Sequence, residues 1–194
     1  MSNQRQSYLS EICINEFGEN HHLGPNLNIV SRNSYSEIEK IYKELGGKLS
    51  QIPYNFRGYD IQLRNCIIEL DEQEHFNKFR LITLNSPFYK DYKNFNVDDY
   101  KNFCNQFECG CRTYGNYGDS NSSKKQFDGF LSRWRQRAFY DFIKDVYSKE
   151  TNLPIIRISI YENFQGSTIN ELIKNKENKK LIDYIRFRMG IAFN

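Results

Sequence analysis

Asp60, Glu69 and Asp71 are the residues whose types and spacing most directly suggest chemistry, with His75 four positions further on. They fall in two strand-like runs joined by a short polar turn at Arg64 and Asn65. Side chains of a strand alternate between faces, so Tyr59, Ile61 and Leu63 share one face of the first run while Asp60, Gln62 and Arg64 share the other. In the second run Cys66, Ile68 and Leu70 line one face and Ile67, Glu69 and Asp71 the other, so the last two carboxylates point the same way. If the runs pair, Asp60 can lie near that acidic pair. Three crowded carboxylates repel unless a cation sits among them. Hard oxygen ligands suit Mg²⁺ or Mn²⁺, ions that keep several waters and take a substrate phosphate. Such an ion activates water and neutralises charge developing on phosphorus, which is the chemistry of phosphodiester hydrolysis. The plain alternative is a solvated hairpin whose acids face water. Against it, Cys66, Ile67 and Ile68 run straight into the acids, as in a central strand buried on both faces.

The elements around these residues decide whether they can meet. Ser34 or Ser36 can cap a helix running to about Leu45, with Ile38, Ile41, Tyr42 and Leu45 as its apolar stripe and Gly46-Gly47 as its stop. Glu37 and Glu44 on that helix are the candidates for one more acid. Residues 1–33 read as irregular. After His75, residues 76–84 read as a short helix ending before Ser86-Pro87, which brings His75, Lys78 and Arg80 near the end of the acidic strand. A near-neutral imidazole there can polarise water or contact a phosphate.

Residues 86–131 read as an insertion. Asn96 caps a helix over Val97 to Phe107, and Gly110 to Gly129 reads as a mobile loop whose Lys124 and Lys125 can contact phosphates. Cys104, Cys109 and Cys111 in this region are off the paired spacing of structural zinc, and a fourth ligand would have to come from Cys13, His21 or His22; free thiols are the expectation. Ser132 to Tyr147 is a helix with Trp134, Ala138, Phe142 and Val146 inward and Arg133, Arg137, Tyr140 and Lys144 on a neighbouring polar face. Cations spaced in this way repel unless anions answer them, and phosphates would. Asp141 and Asp145 can also answer them, leaving a solvated face. Thr168 and Glu171 have capping-box spacing, and two short helices follow to about Met189.

Asp60, then Ile68-Glu69-Leu70-Asp71 with His75 beyond, resembles the Vsr-like branch of the PD-(D/E)XK nuclease superfamily, whose small members carry a strand Asp, a hydrophobic strand ending in Glu-x-Asp-Gly, and a following His. Arg80, Arg137, Asp141 and the strand-like run 154–162 extend the likeness, which covers about residues 36–85 and 130–162. Asp71 stands where the superfamily has a lysine, Glu72 stands where this branch has Gly, and the stretch from Arg80 to Trp134 is long for a minimal member. The resemblance implies a single α/β nuclease-like domain over 1–194, with a restriction-endonuclease-like mixed central sheet flanked by helices, the insertion 86–131 after the active-site strand, and C-terminal helices over 163–194. It implies a Mg²⁺-dependent endodeoxyribonuclease of restriction, repair or phage defence. Asp60, Glu69 and Asp71 would hold Mg²⁺ or Mn²⁺, His75 would assist, and Arg80, Lys124, Lys125, Arg133 and Arg137 would hold DNA. A non-catalytic nucleic-acid-binding protein on a degenerate nuclease scaffold is the alternative, with Lys78, Lys124 or Lys125 able to replace the missing lysine if activity is kept. An RNA or junction nuclease stays open, as does a homodimer.

Composition is compatible with these readings. A chain of 194 residues with net charge +3 permits nucleic-acid binding without demanding it. No apolar run reaches membrane-span length, the first residues lack a signal's apolar core, and an odd count of five cysteines fits reduced thiols, so a cytoplasmic protein without membrane contact is expected.

Overall fold

The structure is a computed structural model that describes residues 2–53, 58–113 and 119–192. It is a mixed α/β protein built on a three-stranded sheet of β1 (Ile61–Gln62), β2 (Ile67–Asp71) and β3 (Ile155–Ser159) in the order β1-β2-β3. β1 and β2 form the expected antiparallel hairpin, while β2 and β3 run parallel with Glu69 beside Arg157 and Asp71 beside Ser159. Every residue of β2 and β3 is buried. The two faces differ because alternation sorts the side chains. Ile61, Ile68, Leu70, Ile156 and Ile158 form one apolar face under α1 (Ser2–Phe17), α7 (Ile169–Lys174) and α8 (Asn178–Ala192). The opposite face starts apolar at Tyr59, Ile67 and Ile155, then turns charged at Glu69, Asp71 and Arg157.

α6 (Ser132–Thr151) crosses that charged face, and its inner stripe joins α2 (Arg32–Glu44), α3 (Lys78–Leu84) and α4 (Val97–Thr113) in a second apolar core. α2 keeps its predicted stripe but begins earlier, with Ser31 accepting from Ser34 N in place of Ser34 or Ser36 as the cap. A 3-10 turn over Gln73–His75 precedes α3, whose cap Asn77 accepts from Phe79 N and Arg80 N. The run expected as a strand over 154–162 ends at Ser159, followed by a hairpin of β4 (Asn163–Phe164) and β5 (Ser167–Thr168). The Thr168–Glu171 capping box then opens α7 as its spacing predicts.

Three expectations need correction. Residues 1–33 are not irregular throughout: Leu9, Ile12 and Cys13, spaced for one helical face, bury α1 against the sheet, and Gly18 at φ +76° ends it. The 86–131 region is not an appended insertion, because Tyr89, Phe95, Tyr100, Cys104 and Cys111 belong to the same core as α2 and α6. Its expected loop over 110–129 is in part helical. α4 runs on to Thr113, and α5 (Asn121–Gln126) has its own capping box from Ser120 and Ser123; residues 114–118 lie outside the described residues. No helix among the described residues is long and apolar enough to cross a membrane.

Candidate functional site

A polar cleft of about 360 Å³ opens between the hairpin end of the sheet, the turn after β2 and the first half of α6. Asp60, Glu69, Glu72, Glu74 and Asp141 line it opposite Arg133, Arg137 and Lys144, with His75 between. Among the described residues the lining therefore carries more acid than permanent positive charge.

Glu69 sits at the floor, 1% exposed, where β2 directs it towards α6. Its Oε1 accepts from the backbone N of Asp60 at 3.2 Å, and its Oε2 accepts from Lys144 Nζ at 2.7 Å. Burial pushes its carboxyl up to about 7 even though Lys144 pulls the other way. Asp60 lies just before β1. Its Oδ2 accepts from Leu70 N at 3.0 Å and its Oδ1 from Gln6 Nε2 of α1 at 3.1 Å, and burial raises its pKa. The hairpin register thus brings Asp60 and Glu69 together as their spacing predicts. Both retain lone pairs, both are raised by burial, and they face a net acidic opening; this hard-oxygen donor chemistry fits a divalent cation.

Asp71 behaves differently. Both of its oxygens accept from Arg157 Nη1, at 2.8 and 3.1 Å, and Oδ1 also lies 3.1 Å from His75 Nδ1. His75 Nδ1 is 2.9 Å from Asp141 Oδ2. Asp71, His75 and Asp141 are close enough to suggest a metal site of their own, but Arg157 already supplies a fixed cation there. A second positive ion there would meet that guanidinium at short range, just as an ion at Asp60 and Glu69 would meet Lys144 Nζ, so the two groups stand alike in this respect. Among the described residues Asp71 groups with His75 and Asp141 and not with Asp60 and Glu69, so the expected grouping of the three acids around one ion is corrected. Asp71 braces His75 and Arg157 from behind the cleft.

His75 keeps its place at the cleft, its side chain 17% exposed, with Nδ1 turned to the acids and Nε2 left for the opening. Burial disfavours the imidazolium, yet Asp141 and Asp71 outweigh it and the pKa is raised. His75 and Arg157 hold Asp141 well below the usual carboxylate range against the opposite pull of burial. The two acids favour the protonated imidazole over the near-neutral one expected, and that form can donate to a phosphate oxygen or a leaving group.

Behind the cleft lies a closed network. Arg157, fully buried, donates from Nε to Asp145 Oδ1 at 2.6 Å and from Nη2 to the Asp141 carbonyl at 3.0 Å. Asp145 Oδ2 accepts from Arg80 Nη2 at 2.9 Å and from the Tyr89 hydroxyl at 2.6 Å. Arg80, expected on DNA, is 1% exposed and bound into this network, so it is corrected to a structural residue. The one-turn spacing that suggested a shared face for Arg133, Arg137 and Lys144 is real, since all three line the cleft. Lys144 is answered by Glu69 rather than left for phosphate, and Arg137 Nη1 lies 3.7 Å from Glu74. Lys124 and Lys125 are exposed on α5, with Lys124 Nζ 3.6 Å from Asp119, and neither lines the cleft. Glu37 accepts from the Ser86 hydroxyl and Glu44 pairs loosely with Lys40, so neither acid joins the site. Burial pushes Cys104 and Cys111 up to about 12, and Cys111 packs its sulfur against Asn77 and the Glu74 carbonyl. His22 is spent on the Leu63 carbonyl at the edge of β1.

Four participants escape a reading of the sequence. Gln6 and Arg5 of α1 reach Asp60 and Glu72, and Arg5 thereby accommodates the acid found where the resemblance calls for Gly. No motif marks them. Lys144 carries a signal, but one that points to phosphate rather than to Glu69. Arg157 carries a clear one, a lone charge amid Ile155, Ile156 and Ile158 in a strand buried on both faces, which demands buried anions.

Residues 40–175 match the model of DUF7255, described as a family of unknown function. The chain belongs to that family. Among curated proteins and among solved structures nothing matches it.

Proposed function

We propose that this DUF7255 protein is a divalent-cation-dependent endonuclease that hydrolyses DNA phosphodiester bonds, on a restriction-endonuclease-like core. The observation that carries the reading is the Glu69–Lys144 contact at 2.7 Å beside Asp60 in an open, acid-rich cleft. A lysine is the group that the sequence pattern leaves out at Asp71, and α6 supplies one at the acidic pair. Asp60 and Glu69 are the residues that would hold Mg²⁺ or Mn²⁺. Bound there, the ion supplies the positive charge that offsets charge developing at phosphorus.

The remaining work belongs to side chains. Lys144 partly offsets the cost of ionising the buried Glu69 and fixes its orientation across the cleft. Gln6 and the Leu70 amide hold the Asp60 carboxylate in one rotamer, so the pair is preorganised. His75, whose protonated form Asp141 and Asp71 favour, donates from Nε2 to the phosphate or to the departing oxygen. Arg133 and Arg137, at the rim, align the DNA backbone.

Incubation of the purified chain with supercoiled plasmid and Mg²⁺ or Mn²⁺ tests the reading. Nicks or double-strand cuts that vanish with EDTA and in both Asp60→Ala and Glu69→Ala are expected. Cleavage that survives in either variant at the wild-type rate would overturn it, and a chain that binds DNA without cutting it under any divalent ion would favour the non-catalytic alternative.

A further inference from the structure

A second cleft, about 800 Å³, lies beyond the carboxyl end of β3, between the start of α4, the turn into β4 and the last turns of α8. Nothing in the proposed cleavage chemistry uses it. Its walls are rings: Phe103, Tyr161 and Phe164 are half-buried, and Phe187 on α8 is 56% exposed. These rings are held by other rings. Tyr161 stacks on Phe107 with centroids 3.7 Å apart, and Phe164 packs on Tyr184 at 5.3 Å.

The polar groups are few and fixed. Glu162 Oε2 accepts from Arg188 Nη1 at 2.6 Å and also from the Tyr184 hydroxyl, while Oε1 accepts from Ser159 N at 3.1 Å and has room for a second donor. Arg188 is further pinned by donating to the carbonyls of Asn94 and Arg157, each at 2.8 Å. Asn96 and Asn163 spend their side-chain carbonyls on backbone amides, at Asp98 and Asp99 for the first and at Gly166 for the second. Among the described residues this leaves both side-chain NH₂ groups as donors on the lining.

Half-exposed rings set beside two amide donors and one carboxylate acceptor match a flat heteroaromatic molecule with mixed hydrogen-bonding edges. An acyl chain would leave the polar groups unpaired, and a bare phosphate, though Lys93 and Arg188 line the cleft too, would meet the carboxylates of Glu162 and Asp99 and leave the rings unused. We infer that this cleft binds a single nucleobase, stacked on Phe187 and the Tyr161–Phe164 wall and read on its edge by Asn96, Asn163 and Glu162. The acidic cleft is next door. Phe76 follows His75 directly and packs edge-on against Tyr161 at 5.3 Å, so a buried ring contact links the walls of the two clefts. The proposed nuclease reading suggests the source of the base, an unstacked nucleotide beside the scissile phosphate, but the base chemistry itself rests on the cleft alone. The other source is a free nucleotide.

The test uses the wild-type chain in EDTA, so that binding is read without cleavage. Deoxynucleosides and deoxyribose 5-phosphate are titrated by saturation-transfer NMR, alongside oligonucleotides carrying 2-aminopurine either unpaired or within a full duplex. Saturable nucleoside binding, quenching of the unpaired 2-aminopurine only, and a loss of roughly tenfold in affinity in Phe187→Ala that Phe187→Tyr restores are expected from stacking. Asn163→Asp, which keeps the acceptor for Gly166 N and removes the donor, should shift the preference among bases. Nucleoside binding without any response of the oligonucleotides assigns the cleft to free nucleotides. The inference is overturned if deoxyribose 5-phosphate binds as well as the nucleosides, if no nucleoside binds, or if Phe187→Ala changes nothing. Plasmid cleavage is scored separately, so failure here and failure of the nuclease reading are told apart.

Discussion

Two charged centres share one face of the sheet, and they are made of the same residue types. Around Arg157, the oxygens of Asp71, Asp141 and Asp145 are met by guanidinium, imidazole and hydroxyl donors, and the centre is sealed. Around Glu69, the carboxyls of Glu69 and Asp60 are raised by burial and met by one lysine, and the centre opens to solvent. The first arrangement is what a protein needs to bury charge at tolerable cost. The second leaves electrostatic demand unmet, which is how sites that bind and react differ from sites that hold a fold together.

Glu69→Gln should break that comparison most sharply. It removes a candidate ion-holding oxygen while keeping the shape, so cleavage should be lost while the melting temperature falls only modestly, since the amide oxygen can still accept from Lys144 Nζ although it no longer balances that buried charge. An active Glu69→Gln enzyme, measured on plasmid with Mg²⁺, would move the chemistry elsewhere. Arg157→Met should do the reverse. Breaking one side of a buried ion pair costs about 3–5 kcal/mol, so a large drop in denaturant midpoint is expected whatever the assay for activity shows. A variant as stable as wild type would mean that the sealed centre is not sealed.

His75 stands between the two centres and sharpens their boundary. His75→Ala should slow cleavage by about 10²-fold or more, the lower end of what general acid–base assistance contributes, with DNA affinity changed far less. Equal losses in rate and in thermal stability would assign it to the sealed side. At the cleft rim, Arg133→Ala with Arg137→Ala should lower the slope of log K against log salt by roughly 0.9 for each phosphate that is no longer neutralised, without altering sequence preference. An unchanged slope in a filter-binding or anisotropy titration would leave that rim solvated.

The smallest effect lies at the start of α6, which carries Arg133, Arg137 and Lys144. The hydroxyl and then the amide of Ser132 hold Asp119 ionised and lower its pKa. A lowered carboxylate contributes stability above its unfolded pKa and loses it as pH falls through its folded pKa. Wild-type melting temperature should therefore decline below about pH 4, the ordinary aspartate range, and Asp119→Ala should flatten that decline at a cost of about 2 °C at neutral pH. Thermal scans from pH 2 to 7 decide it.

The hairpin and its two carboxylates are legible in the sequence because a period of two sorts the faces over residues 66–71 and at Ile61 and Leu63; Tyr59, expected on the face of Ile61, breaks the period and packs with Ile67 and Ile155 on the opposite face. The helices α2 and α6 are legible from stripes that bury large side chains at four-residue spacing. What is not legible depends on distant partners. Arg80 reads from sequence as a surface arginine, and only the docking of α3 on α6 buries it against Asp145. Asp71 and Glu69 occupy equivalent places on one strand, yet their fates diverge because β3 delivers Arg157 to one and α6 delivers Lys144 to the other. α1 escapes notice because only three of its residues face the core strongly and no cap marks its start. Its Gly18 stop is hidden in an Asn- and His-rich stretch.

That first helix has a practical consequence for handling the protein. Arg5 and Gln6 lie outside the matched span 40–175, yet they touch the lip of the acidic cleft, while Phe187 and Arg188 stand within the last turns of α8. A fusion partner ahead of Ser2 would crowd one opening, and a tag close behind α8 would crowd the other. Recombinant material trimmed to the matched span would lose Leu9, Ile12 and Cys13 from the sheet's apolar cover and the side-chain brace on Asp60, so inactivity or precipitation of such a fragment would report on its cut sites rather than on its chemistry.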